Sequence, residues 1–379
     1  MCARKSKKKI LEKAGCGIVG GMALLFSSVV YRRQKTKNRM KIHTENGIQK
    51  QYYVMIGGKL QYVQIRGRDR RNPVILFLHG GPGIPHLFLS HPYQKDLEDE
   101  FTFVNWDQPS SGRTYYMNKR RFRWEKTTYD EVMRDVNELV DFLRKELNQE
   151  KIILIGHSWG SILGTHYAQL FPEKVLAYIG LGQLVDPREE EEEVKKAMEL
   201  ARVKANGRYL KELERLYDDF EEAKSIGEVD FRKLLRIRKI VAIYLQEEEV
   251  QGGLDMLWKG LSSPDMDFYE LKWYLKVLFD VEDFACLQKN LLNHLFFEFD
   301  LWERPMNYQV PVYFIAGTSD WVTPYVAVEA YLKEVEAPDK ALCYIRNAGH
   351  NAHIDNPVEF AYVLGDLARR GANFEKENR

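Results

Sequence analysis

The stretch Ile152-Ile153-Leu154-Ile155-Gly156-His157-Ser158-Trp159-Gly160-Ser161 decides the fold, because an apolar run ends in a serine flanked by glycines and helix-compatible sequence follows. A short, uniformly apolar run predicts a buried strand, and residues 162–171 predict a helix that ends before Pro172. The pattern G-x-S-x-G at 156–160 fits a strand-to-helix turn that projects a serine hydroxyl. Its glycines would let strand and helix approach closely. Taken alone, the pentapeptide fits a glycine-rich turn with an incidental serine equally well.

Strands and helices alternate on both sides of this stretch, which predicts an α/β fold with a mostly parallel sheet and right-handed crossovers. An antiparallel edge hairpin is predicted at 51–65, around the Gly57-Gly58 turn. Further strands are predicted at 74–78, 102–106, 175–180, 310–316 and 342–345, and helices at 129–147, 324–335 and 357–369. Thr128 and Glu131 form a predicted capping box at the start of helix 129–147.

The alternation stops between residues 186 and 305, where the chain is helical in pattern, charged and rich in aromatic residues. We interpret this segment as a helical lid inserted between two parts of a core, 49–185 and 306–379. Asp186-Pro187 predicts an N-cap followed by proline at the first helical position. The glutamate run 189–193 then predicts a solvated helix start, in preference to a cation site.

The composition of the chain limits the kinds of partner and cofactor that we expect it to bind. The 379 residues are 45% apolar and 29% charged, as in an ordinary globular protein, and the net charge of +1 predicts no nucleic-acid partner. The four cysteines, Cys2, Cys16, Cys286 and Cys343, have neither metal-site spacing nor the pattern of a disulfide framework. The sequence therefore predicts no metal and no cofactor.

The first residues differ from the rest of the chain. A basic tail at 1–13 precedes 14–31, which carries no charge and is near the lower limit for crossing a bilayer. A cleavable signal peptide shares this pattern but should end in small residues, whereas this run continues into Tyr31-Arg32-Arg33. We predict a single-pass membrane anchor followed by a basic linker at 32–48. Six Lys or Arg on each side leave its orientation undecided.

A catalytic serine needs a base, an acid that orients the base, and donors for the developing oxyanion. Asp320 and His350 each follow a predicted strand, and the carboxyl ends of parallel strands meet at one edge of a sheet. The chain order Ser158, Asp320, His350 is that of an α/β-hydrolase. The backbone amides of Gly81 and Trp159 are the predicted oxyanion donors.

Three other histidines receive different interpretations. His353 lies three residues beyond His350 and is the competing candidate for the base, but His350 follows its strand more closely. His79 is predicted to orient the glycine loop that follows it. His157 occupies the variable position before Ser158 in the G-x-S-x-G turn, which we call the serine turn. It is predicted to point into the core or a neighbouring loop.

Five motifs together resemble the proline iminopeptidase family of α/β-hydrolases over residues 50–370: His79-Gly80-Gly81-Pro82-Gly83, Asp107-Gln108, Gly156-His157-Ser158-Trp159-Gly160-Ser161, Gly317-Thr318-Ser319-Asp320 and Ala348-Gly349-His350. The resemblance implies Ser158 as nucleophile, Asp320 as acid and His350 as base. One motif departs from the family: D-Q-R-G-x-G-R-S reads here as D-Q-P-S-S-G-R-T at 107–114. The family binds the substrate amine with acidic lid residues, and the unassigned candidates here are Glu214, Asp218, Asp219, Glu222 and 247–249.

The sequence favours a membrane-anchored serine hydrolase that acts on small peptides as an aminopeptidase, through an acyl-enzyme. One alternative keeps this chemistry for esters or lipids, as in a carboxylesterase or lipase. Another is a non-catalytic receptor on a hydrolase scaffold. Epoxide and haloalkane hydrolases are disfavoured because they use aspartate where this chain has Ser158. The expected ligand is a small molecule or short peptide, and the pattern fixes neither the oligomeric state nor the lid contacts.

Overall fold

The computed structural model describes residues 26–246, 250–251 and 253–377. Its strands are β1 (Ile48–Ile56), β2 (Lys59–Gly67), β3 (Val74–Leu78), β4 (Thr102–Trp106), β5 (Ile152–Ser158), β6 (Val175–Gln183), β7 (Val312–Gly317) and β8 (Lys340–Ile345). Its helices are α1 (26–39), α2 (His91–Leu97), α3 (Gly112–Met117), α4 (Lys119–Phe122), α5 (Tyr129–Leu147), α6 (Trp159–Leu170), α7 (Glu189–Val203), α8 (Gly207–Glu221), α9 (Phe231–Leu245), α10 (Gly253–Leu261), α11 (Phe268–Phe279), α12 (Val281–Leu287), α13 (Lys289–Asn293), α14 (Tyr325–Glu334), α15 (Ala352–Asp355) and α16 (Pro357–Glu377). All the strands predicted from the sequence are present, and so are the predicted helices.

Within these residues the strands form one eight-stranded sheet in the order β1-β2-β4-β3-β5-β6-β7-β8. β1 and β2 form the predicted hairpin, in which Ile56 pairs with Lys59 across the Gly57-Gly58 turn. β2 also runs antiparallel to β4, and every pairing from β4 to β8 is parallel. The prediction of a mostly parallel sheet with an antiparallel hairpin at its N-terminal edge is therefore confirmed.

Helices cover both faces of the sheet, which explains the uniformly apolar central strands. One apolar cluster joins the sheet to α5, α6 and α14, and a second joins it to α2 and α16. Helix α5 shows how sequence sets this packing. Val132, Val136, Leu139 and Leu143 recur on one face and are fully buried. The predicted Thr128–Glu131 capping box closes its N-terminus and stabilises such a helix by about 1 kcal/mol.

Helices α7 to α13 lie between β6 and β7, where the sequence predicts the inserted lid. Helices α7, α8 and α9 pack on one another around an apolar cluster of their own that includes Ala197, Leu213 and Ile240. The predicted N-cap is wrong, because α7 begins at Glu189 with Arg188 at the N-cap. Asp186 instead accepts a hydrogen bond from the Arg188 backbone N–H at 2.9 Å, which closes a turn ahead of the helix.

A buried arginine ties this lid to the core. Arg113, at the start of α3, is 2% exposed and contacts Glu270 of α11 at 2.5 Å. It also contacts Asp267 at 2.7 Å and Asp107 at 3.5 Å. Charges removed from water are tolerated when they are matched in this way. The network therefore fixes α11 over the carboxyl end of β4.

The described chain begins at residue 26 with α1. The helix continues to residue 39, so the first half of the predicted linker at 32–48 is helical. Residues 32–39 contain neither glycine nor proline, and Arg, Lys and Gln are good helix formers. Of the predicted anchor 14–31, residues 14–25 lie outside the described part. In the residues that are described, no helix is long and apolar enough to cross a membrane.

Candidate active site

The serine turn has the predicted geometry. β5 ends at Ser158, which precedes α6 with φ 51° and ψ −119°. This sparsely populated conformation costs about 1–3 kcal/mol in a non-glycine residue. The flanking glycines permit it, because a Cβ on Gly156 would lie 2.4 Å from the Gly160 carbonyl oxygen. A Cβ on Gly160 would lie 2.0 Å from the Leu78 carbonyl oxygen, so β3, β5 and α6 meet without side chains between them.

Asp320 and His350 come together at the ends of β7 and β8. The Asp320 Oδ2 atom lies 3.0 Å from His350 Nδ1. The other carboxylate oxygen accepts the backbone N–H groups of Val322 and Thr323, each at 2.9 Å, and the Thr323 hydroxyl donates to Oδ2 at 2.7 Å. An ionised carboxylate only accepts, so His350 Nδ1 carries the proton and Nε2 keeps its lone pair.

Ser158 and His350 line one cavity of about 270 Å³ beneath the lid. Strand β6 lies between β5, which ends at Ser158, and β7, which precedes Asp320. Gly182 lies at the end of β6. It has φ +52°, and a Cβ there would meet His350 Nδ1 at 3.3 Å and Asp320 Oδ2 at 3.4 Å. A larger open groove of about 1090 Å³ lies against α4 and α11. Since neither Ser158 nor His350 lines that groove, the smaller cavity is the candidate active site.

Gly81 and Trp159, the predicted oxyanion donors, both border Ser158. Trp159 is the first residue of α6, and the first N–H groups of a helix have no carbonyl partner within it. Gly81 has φ +119° and lines the cavity. Its neighbour Gly80 abuts the nucleophile, because a Cβ there would lie 3.1 Å from that of Ser158. The glycine loop that contains Gly81 and the first turn of α6 thus both adjoin the serine.

Gln108, which belongs to a quoted motif but received no role in the sequence analysis, joins the glycine loop to the serine turn. Its side chain donates to the His79 carbonyl oxygen at 2.9 Å and accepts from Trp159 Nε1 at 3.2 Å. Burial lowers the pKa of His79 to about 3, so the ring is neutral at pH 7. Its Nδ1–H donates to the Gly80 carbonyl oxygen at 2.9 Å, and Nε2 accepts the Gln108 backbone N–H at 3.2 Å. His79 therefore positions the loop, as predicted.

The departure from the family motif falls on Ser110. This residue stands where the family has its first glycine, yet it has φ 60°. A non-glycine residue in this region costs about 1–2 kcal/mol. Gln288, between α12 and α13, donates to the Ser110 carbonyl oxygen at 2.7 Å, and the Ser110 hydroxyl lies 3.3 Å from its Oε1. The lid thus holds the backbone in a conformation that glycine would adopt freely.

The lid contributes an ion pair to the cavity wall. Glu190 of α7 and Arg238 of α9 both line the cavity and form two parallel contacts of 2.7 Å each. The prediction that the glutamate run is solvated is therefore wrong for Glu190. None of Glu214, Asp218, Asp219 and Glu222 lines the cavity, and residues 247–249 lie outside the described part. The rest of the lid wall is largely apolar, with Met256, Tyr274, Val277, Leu278, Leu295 and Phe296.

His350 and His353, the two candidates for the base, have different surroundings. Asp320 contacts His350, whereas His353 is fully buried and neither of its ring nitrogens has a hydrogen-bond partner among the described residues. His157 is buried as predicted, and its Nε2 lies 3.0 Å from the His350 carbonyl oxygen.

Comparison with known proteins identifies the family of the chain. The profile of the alpha/beta hydrolase fold family matches residues 73–357. A probable aminopeptidase of Bacillus subtilis (strain 168), YbaC, is 29% identical over 314 residues, which cover 83% of this chain and 94% of that protein.

Among solved structures, the proline iminopeptidase of Mycobacterium smegmatis is similar with a TM-score of 0.58 and 17% identity, over 86% of this chain and 100% of that one. A bacterial membrane phospholipase A is similar with a TM-score of 0.57 and 16% identity, over 98% of this chain and 100% of that one. At these identities the structural matches establish the fold. The chain is a hydrolase that belongs to the alpha/beta hydrolase fold family and has relatives named as aminopeptidases.

Proposed function

We propose that the protein is a serine hydrolase in which Ser158 is the nucleophile, His350 the base and Asp320 the acid that orients it. The observation that carries the proposal is the cavity shared by Ser158 and His350, with His350 Nδ1 held 3.0 Å from Asp320. Hydrogen bonds from Thr323 and two backbone amides hold the carboxylate in place. A fixed carboxylate selects the tautomer whose Nε2 can take a proton from serine.

The reaction proceeds through an acyl-enzyme. His350 Nε2 takes the Ser158 hydroxyl proton as Oγ forms a bond to the substrate carbonyl carbon, and the Gly81 and Trp159 amides stabilise the oxyanion. The bond to the leaving group breaks as His350 returns the proton to it. A water molecule then gives a proton to His350 and attacks the acyl carbon, and the bond from that carbon to Ser158 Oγ breaks as His350 returns the proton to Oγ. The acid is released and the Ser158 hydroxyl is restored.

Short peptides with a free N-terminus are the proposed substrates. The aminopeptidase relative spans most of the chain, and Glu190 is the only carboxylate among the described residues that line the cavity. A substrate ammonium group would pair with Glu190 in a site that is otherwise largely apolar. The small cavity, about 270 Å³, suits one or two residues better than a long chain.

One observation favours small esters as a second candidate. Arg238 already holds both oxygens of Glu190 at 2.7 Å, so the pair presents no net charge to the cavity. A substrate amine must compete with this guanidinium, whereas a neutral ester needs no charge partner. The same serine chemistry serves both classes.

The nucleophile is tested first, without assuming a substrate. A fluorophosphonate probe should label the full-length protein and the Ser225→Ala control, whose serine lies on the lid and does not line the cavity. Ser158→Ala should abolish labelling. Labelling that persists in Ser158→Ala would remove Ser158 as the nucleophile.

The substrate class is tested with a panel of amino-acid arylamides, their N-acetylated forms and short-chain nitrophenyl esters. The aminopeptidase proposal expects turnover of the free-amine arylamides and a loss of at least ~10-fold in kcat/KM on acetylation, since charged hydrogen bonds contribute about 1.5–3 kcal/mol. Glu190→Gln should erase the difference between free and acetylated forms. Ester turnover with no amine preference in either protein would favour the esterase.

Membrane attachment through 14–31 is also proposed, on the strength of its uncharged sequence between basic flanks. After cell lysis, the full-length chain should sediment with membranes, and a chain lacking residues 1–31 should stay in the supernatant. Recovery of both in the supernatant would refute the anchor.

A further inference from the structure

Three histidine side chains converge at the base of the candidate active site. His86 follows β3, His157 precedes the nucleophile, and His353 belongs to α15. One ring nitrogen from each lies within 4.8 Å of the others. His157 and His353 are buried, and His86 is half-buried at the wall of the Ser158 cavity. The proposed reaction uses none of the three.

Their nitrogens are unsatisfied. His86 Nδ1, His157 Nδ1 and both nitrogens of His353 are buried without a hydrogen-bond partner in the described part of the chain. An orphaned buried polar group costs about 1–3 kcal/mol, and native proteins keep such groups rare. Four such nitrogens in one cluster indicate that a bound group able to contact several nitrogens at once completes the site.

The tautomer of His157 suits a metal ligand. Its Nε2 lies 3.0 Å from the His350 carbonyl oxygen, which can only accept, so Nε2 carries the proton. Nδ1 therefore keeps its lone pair, and it has no hydrogen-bond partner among the described residues. Metal-bound histidines commonly donate their second N–H to a backbone carbonyl in this way.

Aromatic rings surround the cluster. Phe77, Tyr93 and Phe360 pack around His353 and bring no carboxylate. Neutral imidazoles suit zinc, copper, cobalt and nickel ions and do not suit magnesium or calcium.

We propose that His86, His157 and His353 bind one divalent transition-metal ion of the zinc class, with its fourth coordination position open to the Ser158 cavity. Zn–N distances of 2.0–2.1 Å place ligand nitrogens roughly 3.4 Å apart in a tetrahedral site. Separations of up to 4.8 Å must therefore shrink by about 1.4 Å at most, which requires small rotations of the imidazole rings when the ion binds. The ion enters from the cavity, where His86 lines the wall.

The test titrates Co²⁺ into the untagged full-length protein after treatment with a chelator, because four-coordinate Co²⁺ absorbs visible light and hydrated Co²⁺ absorbs only weakly. We expect one equivalent to bind with strong visible bands, and Zn²⁺, which favours a tetrahedral site, to displace it. His43→Gln, which changes an exposed histidine, should bind as the native protein does. Absence of the bands in the native protein would overturn the proposal.

Two variants assign the ligands. His353→Phe keeps an aromatic ring among Phe77, Tyr93 and Phe360, and His86→Gln changes the half-buried ligand that lines the cavity. Each should bind Co²⁺ at least ~100-fold more weakly, since loss of a ligand costs no less than loss of an outer-shell partner. If His353→Phe fails to fold, His86→Gln alone decides. Unchanged bands in a folded variant would overturn the assignment, and neither result depends on hydrolysis.

Discussion

Gly160→Ala tests whether the close contact between α6 and β3 positions the catalytic groups. The added methyl group would lie 2.0 Å from the Leu78 carbonyl oxygen and 2.9 Å from that of His79, where ordinary contact begins at 3.4 Å. Both carbonyl oxygens belong to backbone, one in central strand β3 and one in the loop that follows it, so they cannot rotate away as a side chain could. Helix α6 must therefore retreat by about 1.4 Å, and it carries the Trp159 amide with it.

Two opposing contributions set the change in stability. Overpacking costs about 1–3 kcal/mol, and the rigid strand backbone places this site at the upper end. Alanine in a helix recovers about 1 kcal/mol relative to glycine. We expect the free energy of unfolding to fall by about 2 kcal/mol. A displacement of more than 1 Å at the oxyanion donor should lower kcat by roughly 100-fold.

The measurements are the urea midpoint and the rate of fluorophosphonate labelling, which needs no knowledge of the substrate. Gly207→Ala is the matched control, because a Cβ there meets nothing within 4 Å. It should raise the free energy of unfolding by about 0.4–1 kcal/mol and leave labelling unchanged. A Gly160→Ala protein with the native midpoint and native labelling rate would refute the reasoning.

Three further predictions concern buried charge, acid and the orienting carboxylate. Arg113→Met leaves Glu270 buried without its partner and should cost about 3–5 kcal/mol in a urea titration, whereas Arg121→Ala, in an exposed pair, should cost less than about 1 kcal/mol. Because the pKa of His79 is lowered in the folded protein, the unfolded state binds more protons than the folded state below pH 6.5. The contribution of His79 to the free energy of unfolding is therefore present above that pH and is lost as the pH falls towards 3. Between pH 7 and pH 5 this residue alone should remove about 2 kcal/mol, measured as a shift in urea midpoint. Asp320→Asn should lower kcat by about 10⁴-fold, because the amide no longer selects the productive tautomer of His350.

Each of these three predictions has an outcome that would contradict it. Equal urea midpoints for Arg113→Met and Arg121→Ala would mean that the buried network contributes nothing to stability. A midpoint that stays constant from pH 7 to pH 5 would show that His79 titrates normally in the folded state. Labelling and turnover at native rates in Asp320→Asn would remove Asp320 from the mechanism.

The features that sequence predicted well are those set by local pattern or by sheet geometry. Helix α5 follows from apolar periodicity and its capping box, both of which act within a few residues. Ser158, Asp320 and His350 were selected together because parallel strands direct their carboxyl ends to one edge, whatever the distance along the chain. The structure brings Asp320 and His350 into contact and places His350 and Ser158 on one cavity.

The features that were missed depend on contacts between distant segments. Glu190 is one of five consecutive glutamates, and nothing in the run distinguishes the residue that meets Arg238 across the lid. Gln108 looks like part of a turn until its amide is seen to bridge two loops. The three clustered histidines have no characteristic spacing, since they come from a loop, a strand and a helix that are distant in sequence.

The lid occupies the connection between β6 and β7, and this position affects how the protein can be re-engineered. The segment leaves the sheet after Gln183 and returns before Val312, so neither junction interrupts a strand that carries Ser158, Asp320 or His350. The entropy of closing such a loop rises only logarithmically, by about 0.6 kcal/mol for each doubling of length. A lid of different size could therefore be grafted between the same two strands at little cost, provided that it supplies partners for Arg113 and a replacement for Gln288 beside Ser110.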